Sequence, residues 1–570
     1  MIIFSKFKFI FILTATFVFN LYIFLINYFN YNSTRGTDFD KYGPYLDYYT
    51  FGLDAKLQEQ GVGYFWFVSY FSKLKIDSLK ISQNFESLVH NFGIHIANFI
   101  FYILGCVGVY FLLKYLNISY KTSLIAINFL AIFPPLLGAR LILKPEIMGF
   151  AFVPWILLFI FKFYDEKKQI YLFFVTPFLA LLVSSKASIS LMIGIMLLVF
   201  IKKELFNKFF IIMTVFFLSL IFLLFYESYL INEKYLWQHV TPKGYDNVAS
   251  LQFLFSINSE LLTNPFRNSQ ATSMIGIILL DTFGDYWQRY WFHKDGWLGD
   301  LYPGSNLLNI AGVFVSIFFY SSLAYFLIKE QNKKLKKIGS LFLIGLGVLL
   351  INVFNVFPFL TKNFKPEKGD PIKTHYFSFF LALALVYLVI KLMSMKRNIF
   401  PSLILTIVFL LCIQIPRSAS VEILKADQNT SNKIHLLSSC KFGDPISKVI
   451  NYPDGWCNQD EISLSICAGE YNKEILPKQE NEFMIFPPDK TYTQRNLIEG
   501  LNTVTVSNYY ECLNYANGGY ILQSSEKYFF NEERTPPKAF VYNLLLSCII
   551  IFYYIFFNKN KQSSVDLSFD

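Results

Sequence analysis

The chain has 570 residues, of which 54% are hydrophobic, 19% aromatic and only 16% charged, whereas an average soluble domain is about a quarter charged. Its mean hydropathy is +0.41, which describes a chain that is mostly membrane. The formal net charge of +10 is dispersed in short lysine clusters between apolar runs and forms no basic face, so nucleic acid is excluded as a partner.

At the start of the chain, Lys6 and Lys8 precede an apolar stretch of about 20 residues, longer than a signal-peptide core and without a small-x-small cleavage site, which predicts a retained first span. Further apolar stretches follow near 89–113, 121–139, 146–163, 170–184, 188–201, 208–230, 306–328, 338–357, 376–393, 398–415 and 539–557. Each is long enough to cross or nearly cross a bilayer. The expected fold is therefore an all-α polytopic membrane protein of about twelve transmembrane helices.

With the N-terminus cytoplasmic, the inner turns carry Lys114 and Lys121, then Lys162, Lys167 and Lys168, then Lys202, Lys203 and Lys208. Later inner turns carry Lys329, Lys333, Lys334, Lys336 and Lys337, then Lys391, Lys396 and Arg397, and finally Lys559 and Lys561. Every inner turn is basic, as the positive-inside rule demands, so both termini are expected in the cytoplasm.

Three outer segments, 30–88, 231–305 and 416–538, are too long to be simple connections and are rich in aromatic residues. The last holds Cys440, Cys457, Cys467 and Cys512. On the side where disulfides survive, these predict two bridges, with three connectivities open. Cys106, Cys412 and Cys548 fall inside spans, where cysteine serves as a small apolar filler. Segments 482–486 and 503–507 alternate like strands. The organisation expected is a membrane domain over 1–415, a small extracytoplasmic mixed or mostly β domain over 416–538, and a final helix with a cytoplasmic tail over 539–570.

The first outer segment begins Arg35-Gly-Thr-Asp38-Phe-Asp40-Lys-Tyr42-Gly-Pro-Tyr-Leu-Asp47 and continues in two aromatic, amphipathic stretches, one ending near Gln60 and one over 63–74. Both read as helices in the membrane interface. A carboxylate at the mouth of a bilayer is partly desolvated, which raises its pKa and makes Asp38 or Asp40 a candidate general base. The same two residues also suit a helix cap or turn.

Charged residues recur beside apolar sequence at three other outer positions. The turn Arg140-Leu-Ile-Leu-Lys144-Pro145-Glu146 sets two cations four residues apart, where a continuous helix would put them on one face to hold a phosphate. Lys186 occupies the turn between the two shortest spans, where snorkelling to headgroups is the plainer expectation. Asp281 and Asp285, next to Trp287, Trp291 and Trp297, suit carbohydrate, while tryptophans alone suit an interfacial belt. Lys373 and His375 open the span near 376–393 and are further phosphate candidates. No clustered ligand set predicts a bound metal and no cofactor is expected, although the paired Asp38 and Asp40 could hold a divalent cation through their oxygens.

Taken together, the first-loop Asp38-Phe-Asp40-Lys-Tyr42, the Arg140…Lys144-Pro-Glu146 turn and the Lys373-Thr-His375-Tyr376 entry resemble the GT-C superfamily of integral-membrane glycosyltransferases. The similarity is greatest to its bacterial protein-mannosyltransferase-like and aminoarabinose-transferase-like members, and it covers roughly residues 1–415. The resemblance implies a polyprenyl-phosphate sugar donor, a lipid, glycan or protein acceptor, and inverting transfer on the outer face of a bacterial plasma membrane. It further implies a first-loop carboxylate, Asp38 or Asp40, as base, with Arg140, Lys144 and His375 near the donor phosphate. The family's usual Asp-Glu pair is replaced by Asp38-Phe-Asp40, and its His-Pro-Pro-like motif is absent. Gln60-Gly-Val-Gly-Tyr64 instead resembles O-antigen and exopolysaccharide polymerases, which makes a polymerase the alternative. A flippase without chemistry is a third reading; the break that Pro134-Pro135 would place in one span has no twin elsewhere.

Overall fold

Backbone polar groups inside a bilayer must be satisfied within the segment itself, so long Phe-, Leu- and Ile-rich runs fold there as helices. The computed structural model describes residues 2–31, 33, 39–52, 61–79, 86–201, 208–232, 273–284, 305–353, 372–395 and 534–557, together with the backbone of 482–484 and 503–505. These residues are mostly helical: α1 (Ile2–Asn30), α2 (Phe39–Phe51), α3 (Val62–Leu79), α4 (Glu86–Tyr115), α5 (Tyr120–Ile132), α6 (Pro134–Leu141), α7 (Glu146–Glu166), α8 (Ile170–Ser185) and α9 (Ala187–Ile201). They continue with α10 (Lys208–Asn232), α11 (Met274–Phe283), α12 (Ser305–Lys329), α13 (Lys333–Gly339), α14 (Phe342–Val353), a 3-10 turn (Thr374–Phe377), α15 (Ser378–Met393) and α16 (Lys538–Phe557).

Among the described residues, seven helices are long and apolar enough to cross a membrane, or eight if the bent pair α5 and α6 is one span. That is what an integral membrane protein requires. Helices α8, α9 and α11 are apolar but shorter. The expected span at 398–415 lies outside the described residues, and of the one at 338–357 the helix α14 covers 342–353.

Two helices form the centre. In α7, 94% of the span window is buried, and in the span that begins at Thr374 and includes α15, 83%, against 17% in α1 and 11% in α10. The last two present Phe11, Phe17, Ile212 and Phe222 as an exposed apolar face, as a lipid-facing helix does. Helix α4 packs along α7, and Gly108 is what lets it come so close: a Cβ there would lie 2.7 Å from the Trp155 indole nitrogen. The first-loop helices α2 and α3 pack into the core on one side. Tyr45, Leu46, Phe65 and Val68 are completely buried.

The stretch 121–139, expected as one span, is broken at Phe133, where α5 and α6 meet at 58°. The cause is Pro134-Pro135, which cannot donate to the carbonyls of Leu130 and Ala131 four residues back. Phe133 N–H takes the first, at 3.4 Å. Arg140 Nη2 takes the second, at 3.3 Å. The break thus explains a buried arginine by a backbone need.

Helix α11, inside the segment read as the second outer loop, packs on α12 and α6. Its Ser273 side chain caps its first turn by accepting from Gly276 N–H at 3.1 Å. At the other end of the chain, Glu482–Met484 and Thr503–Thr505 pair antiparallel, Phe483 opposite Val504. The rest of 416–533, with Cys440, Cys457, Cys467 and Cys512, lies outside the described residues. Cys106 is a buried free thiol and Cys548 an exposed one.

Of the turns read as inner, those described share one end of the bundle and carry ion pairs. Glu166 accepts from Lys162 at 3.1 Å, from Lys168 at 2.8 Å and from the Tyr171 hydroxyl at 2.8 Å. Asp165 accepts from Lys334 and the Tyr115 hydroxyl. Lys391 and Glu330 meet at 2.6 Å.

Candidate functional site

At the opposite end, several of the cations singled out in the sequence converge on one ring. Lys144 follows α6, Lys186 fills the one-residue gap between α8 and α9, and Lys373 and His375 begin the segment that leads into α15. Lys144 Nζ lies 5.0 Å from the centre of the Tyr376 ring, Lys186 Nζ 4.7 Å and Lys373 Nζ 6.0 Å. Lys144 Nζ is also 3.4 Å from His375 Nε2. Lys144 and His375 are wholly buried, and Lys373 is 7% exposed. An aromatic face between ammonium groups lessens their mutual repulsion, so Tyr376 makes the gathering tolerable in a dry site.

Glu146 is the carboxylate of this group. Its Oε1 accepts from Lys186 Nζ at 2.6 Å, and its side chain is fully buried. Burial alone would lower the Lys186 pKa, but the Glu146 carboxylate, with the Tyr42 and Tyr376 phenols nearby, outweighs it and holds the ammonium above its usual value. Lys186 is therefore a fixed, paired charge, not a snorkelling one. Tyr42 belongs to α2, so the helix that begins beside the first-loop acids reaches this cluster.

The backbone around Lys144 is held by buried amides. Asn98 Nδ2 donates to the carbonyls of Arg140 at 2.8 Å and Ile142 at 3.1 Å, just where α6 ends. The Tyr64 hydroxyl donates to Asn98 Oδ1 at 2.8 Å. Lys144 N–H turns back onto Ile142 C=O at 2.9 Å. Because α6 stops at Leu141, Arg140 and Lys144 do not share a helical face, contrary to the sequence expectation. The guanidinium of Arg140 serves Ala131 C=O and stacks 4.8 Å over the Tyr102 ring. Tyr102 in turn donates to Asn20 of α1 at 2.6 Å.

Asp281 does the same for the other half. Its Oδ2 accepts from Thr374 N–H and from the Thr374 hydroxyl, each at 2.7 Å, and its carbonyl accepts from that hydroxyl at 2.9 Å. Fully buried in α11, it clamps the 3-10 turn that carries His375 and Tyr376.

Asp40 falls in the first turn of α2; Asp38 and Asp285 lie outside the described residues. Farther along α2, Asp47 Oδ1 meets His90 Nε2 of α4 at 2.9 Å, both buried, and His90 Nδ1 lies 3.4 Å from the Ser72 hydroxyl of α3. Phe39, between the two acids, packs on His90 with ring centres 6.4 Å apart. This pair ties three first-loop segments together. Nothing in the sequence pointed to it or to Asn98, apart from a general signal: polar side chains in an apolar run are expensive unless bonded. Among the described residues, no group of three or more His, Cys, Asp or Glu side chains could hold a metal ion.

As a chemical device, the cluster is a buried set of cations on three separate segments, opened to hydroxyl chemistry by one carboxylate. Such a set can seat an anionic phosphate and share its charge. No protein-family model, curated protein or solved structure matches this chain.

Proposed function

We propose that the chain is an integral-membrane glycosyltransferase of GT-C type, using a polyprenyl-phosphate sugar and acting on a lipid, glycan or protein acceptor. The single observation that carries this reading is the convergence of Lys144, Lys186, Lys373 and His375 on Tyr376, at the end of the bundle opposite the basic turns. Polyprenyl phosphate presents its charge at membrane depth, where a hydrated surface lysine would not serve and a dry cation site does.

The reaction is a single displacement. Asp38 or Asp40 takes the proton of the acceptor hydroxyl, whose oxygen attacks the anomeric carbon. The bond from that carbon to the phosphate oxygen breaks, and the polyprenyl phosphate leaves with the electron pair. Lys144, Lys373 and His375 stabilise the charge that develops on it. The position of Tyr42 beside Lys186 supports a shared site, since it brings the start of α2 to the cations. The reading includes about twelve spans, both termini in the cytoplasm, the site and the 416–538 region outside, two disulfides in that region, and a bacterial plasma membrane.

The test is the mass profile of the host's surface glycans, glycolipids and glycoproteins, with the gene deleted and then restored as wild type, as Asp38→Asn/Asp40→Asn, or as Lys144→Met. Loss of one sugar mass, restored only by wild type, supports a single-sugar transferase. Collapse of a ladder to one repeat assigns the polymerase instead. An unchanged glycan, glycolipid and glycoprotein profile overturns the reading.

A further inference from the structure

A buried carboxylate normally has both oxygens bonded, because an orphaned one loses its hydration without return. Glu146 departs from this. Its side chain is fully buried, and Oε1 is occupied by Lys186 at 2.6 Å. Oε2 is equally buried and has no hydrogen-bond partner among the described residues. Around it Asn98 serves two carbonyls and Asp281 receives Thr374 twice, while the hydroxyls of Ser188 and Ser378, near Lys186 and Tyr376, are buried without a hydrogen-bond partner among the described residues. An open carboxylate oxygen beside a gathering of cations marks a place for something that arrives.

What arrives must donate a hydrogen. A metal cation is disfavoured by Lys186 in direct contact and by Lys144 across the Tyr376 ring. A second ammonium would meet the same repulsion. A neutral hydroxyl suits the position, and it sits within a side chain's reach of the cations that would hold a phosphate.

We propose that Glu146 Oε2 accepts a hydrogen bond from a sugar hydroxyl on the carbon next to the phosphate-bearing one, so that this cluster recognises a phosphodiester together with its neighbouring hydroxyl. This rests on the phosphate reading above and adds a specificity determinant to it. Lys186 acts through Glu146 as a positioning residue, holding the carboxylate so that Oε2 stays turned to the substrate. Because this ligand chemistry occurs both in prenyl-phosphate sugars and in inositol phospholipids, the two sources are separated in the test.

The experiment is equilibrium binding to the full-length protein in nanodiscs. The probes are farnesyl phosphate, farnesyl-phosphoryl glucose, mannose and 2-deoxyglucose, and phosphatidylinositol against phosphatidic acid. In the wild type, glucose or mannose should raise affinity over bare farnesyl phosphate by about tenfold or more, the scale of one hydrogen bond to a charged group. The 2-deoxy probe should lose that margin. In Glu146→Gln the margin should fall below about twofold while affinity for bare farnesyl phosphate changes by less than about threefold. Should Glu146→Gln leave Lys186 unpaired and the fold damaged, Glu146→Gln/Lys186→Met removes both charges, and the margin is read there.

A margin that persists in these variants, or its absence from the wild type with every probe, overturns the role of Glu146 while leaving phosphate binding intact. A margin seen only for phosphatidylinositol keeps the role of Glu146 and removes the prenyl-phosphate donor. A wild type that binds none of the phosphates removes both readings.

Discussion

The two ends of the bundle use the same residue types for different tasks. At one end, Glu166 accepts from two lysines and a tyrosine and remains 31% exposed in its side chain. At the other, Glu146 is fully buried, holds one lysine and keeps one oxygen without a hydrogen-bond partner among the described residues. A saturated, half-wet network costs little to build and little to lose. A dry, unsaturated one is expensive, and a protein keeps such an arrangement where a ligand completes it. Lysines in apolar sequence thus carry two meanings, topology at one end and recognition at the other, and burial decides which.

The sharpest way to break this comparison is to remove one lysine from each end. Lys144→Met deletes a buried cation beside His375, and sugar transfer should fall by about two to three orders of magnitude, as when one preorganised electrostatic contact is lost. Lys334→Met deletes a partner of Asp165 and should leave transfer within about twofold. Initial rates at equal amounts of folded protein measure both. Equal losses would mean that the two ends do not differ in the way proposed.

A smaller effect tests how the site is braced. Asp281→Ala removes the acceptor of Thr374 N–H and of its hydroxyl, leaving a buried donor unmet. The expected loss is about 3 kcal/mol, seen as a lower midpoint in thermal unfolding. Thr374→Val, which keeps the N–H bond and removes only the hydroxyl, should lose about 1 kcal/mol. If Asp281 instead served only to touch substrate, the midpoint would not move.

These residues also show how far the sequence reaches. The apolar runs that became α1, α4, α7, α10, α12 and α16 were legible from length and composition, because a bilayer admits few alternatives. Lys144, Lys186, Lys373 and His375 were legible one by one, as charges in apolar surroundings. Their convergence on Tyr376 was not, since it joins positions up to about 230 residues apart. The spacing of Arg140 and Lys144 misled, because it assumed a helix that stops at Leu141. Pro134-Pro135 did signal a break, but not that Arg140 would mend it. Asp281 stood out for its nearness in sequence to tryptophans, while its bonds to Thr374 join it to a position 93 residues farther along the chain. A sequence shows which groups are costly to bury; which partner meets the cost is a matter of packing.

The weakest expected effect lies at the end with the basic turns, in the pair Lys391 and Glu330, whose carboxylate is 4% exposed. Burial would raise the Glu330 pKa, and the hydrogen bond and charge of Lys391 outweigh it, so the carboxyl titrates below its ordinary value near 4.5. A depressed carboxyl stabilises the fold above its unfolded pKa, and that contribution is lost as pH falls through the folded value. Lys391→Met should therefore lower the unfolding midpoint at pH 7 by the equivalent of under about 1 kcal/mol. As pH falls below the ordinary value near 4.5 and through the lower folded-state value, the wild-type and variant curves should close on each other, because protonated Glu330 has no ion pair left to lose. Transfer activity at pH 7 should be unchanged. A gap that stays constant into acid would mean that Lys391 acts through its aliphatic stem or through the Tyr387 ring, whose centre is 5.8 Å from the ammonium. The pair would then belong to the packing of α15, and the contrast between the two ends would rest on Glu166 and Asp165 alone.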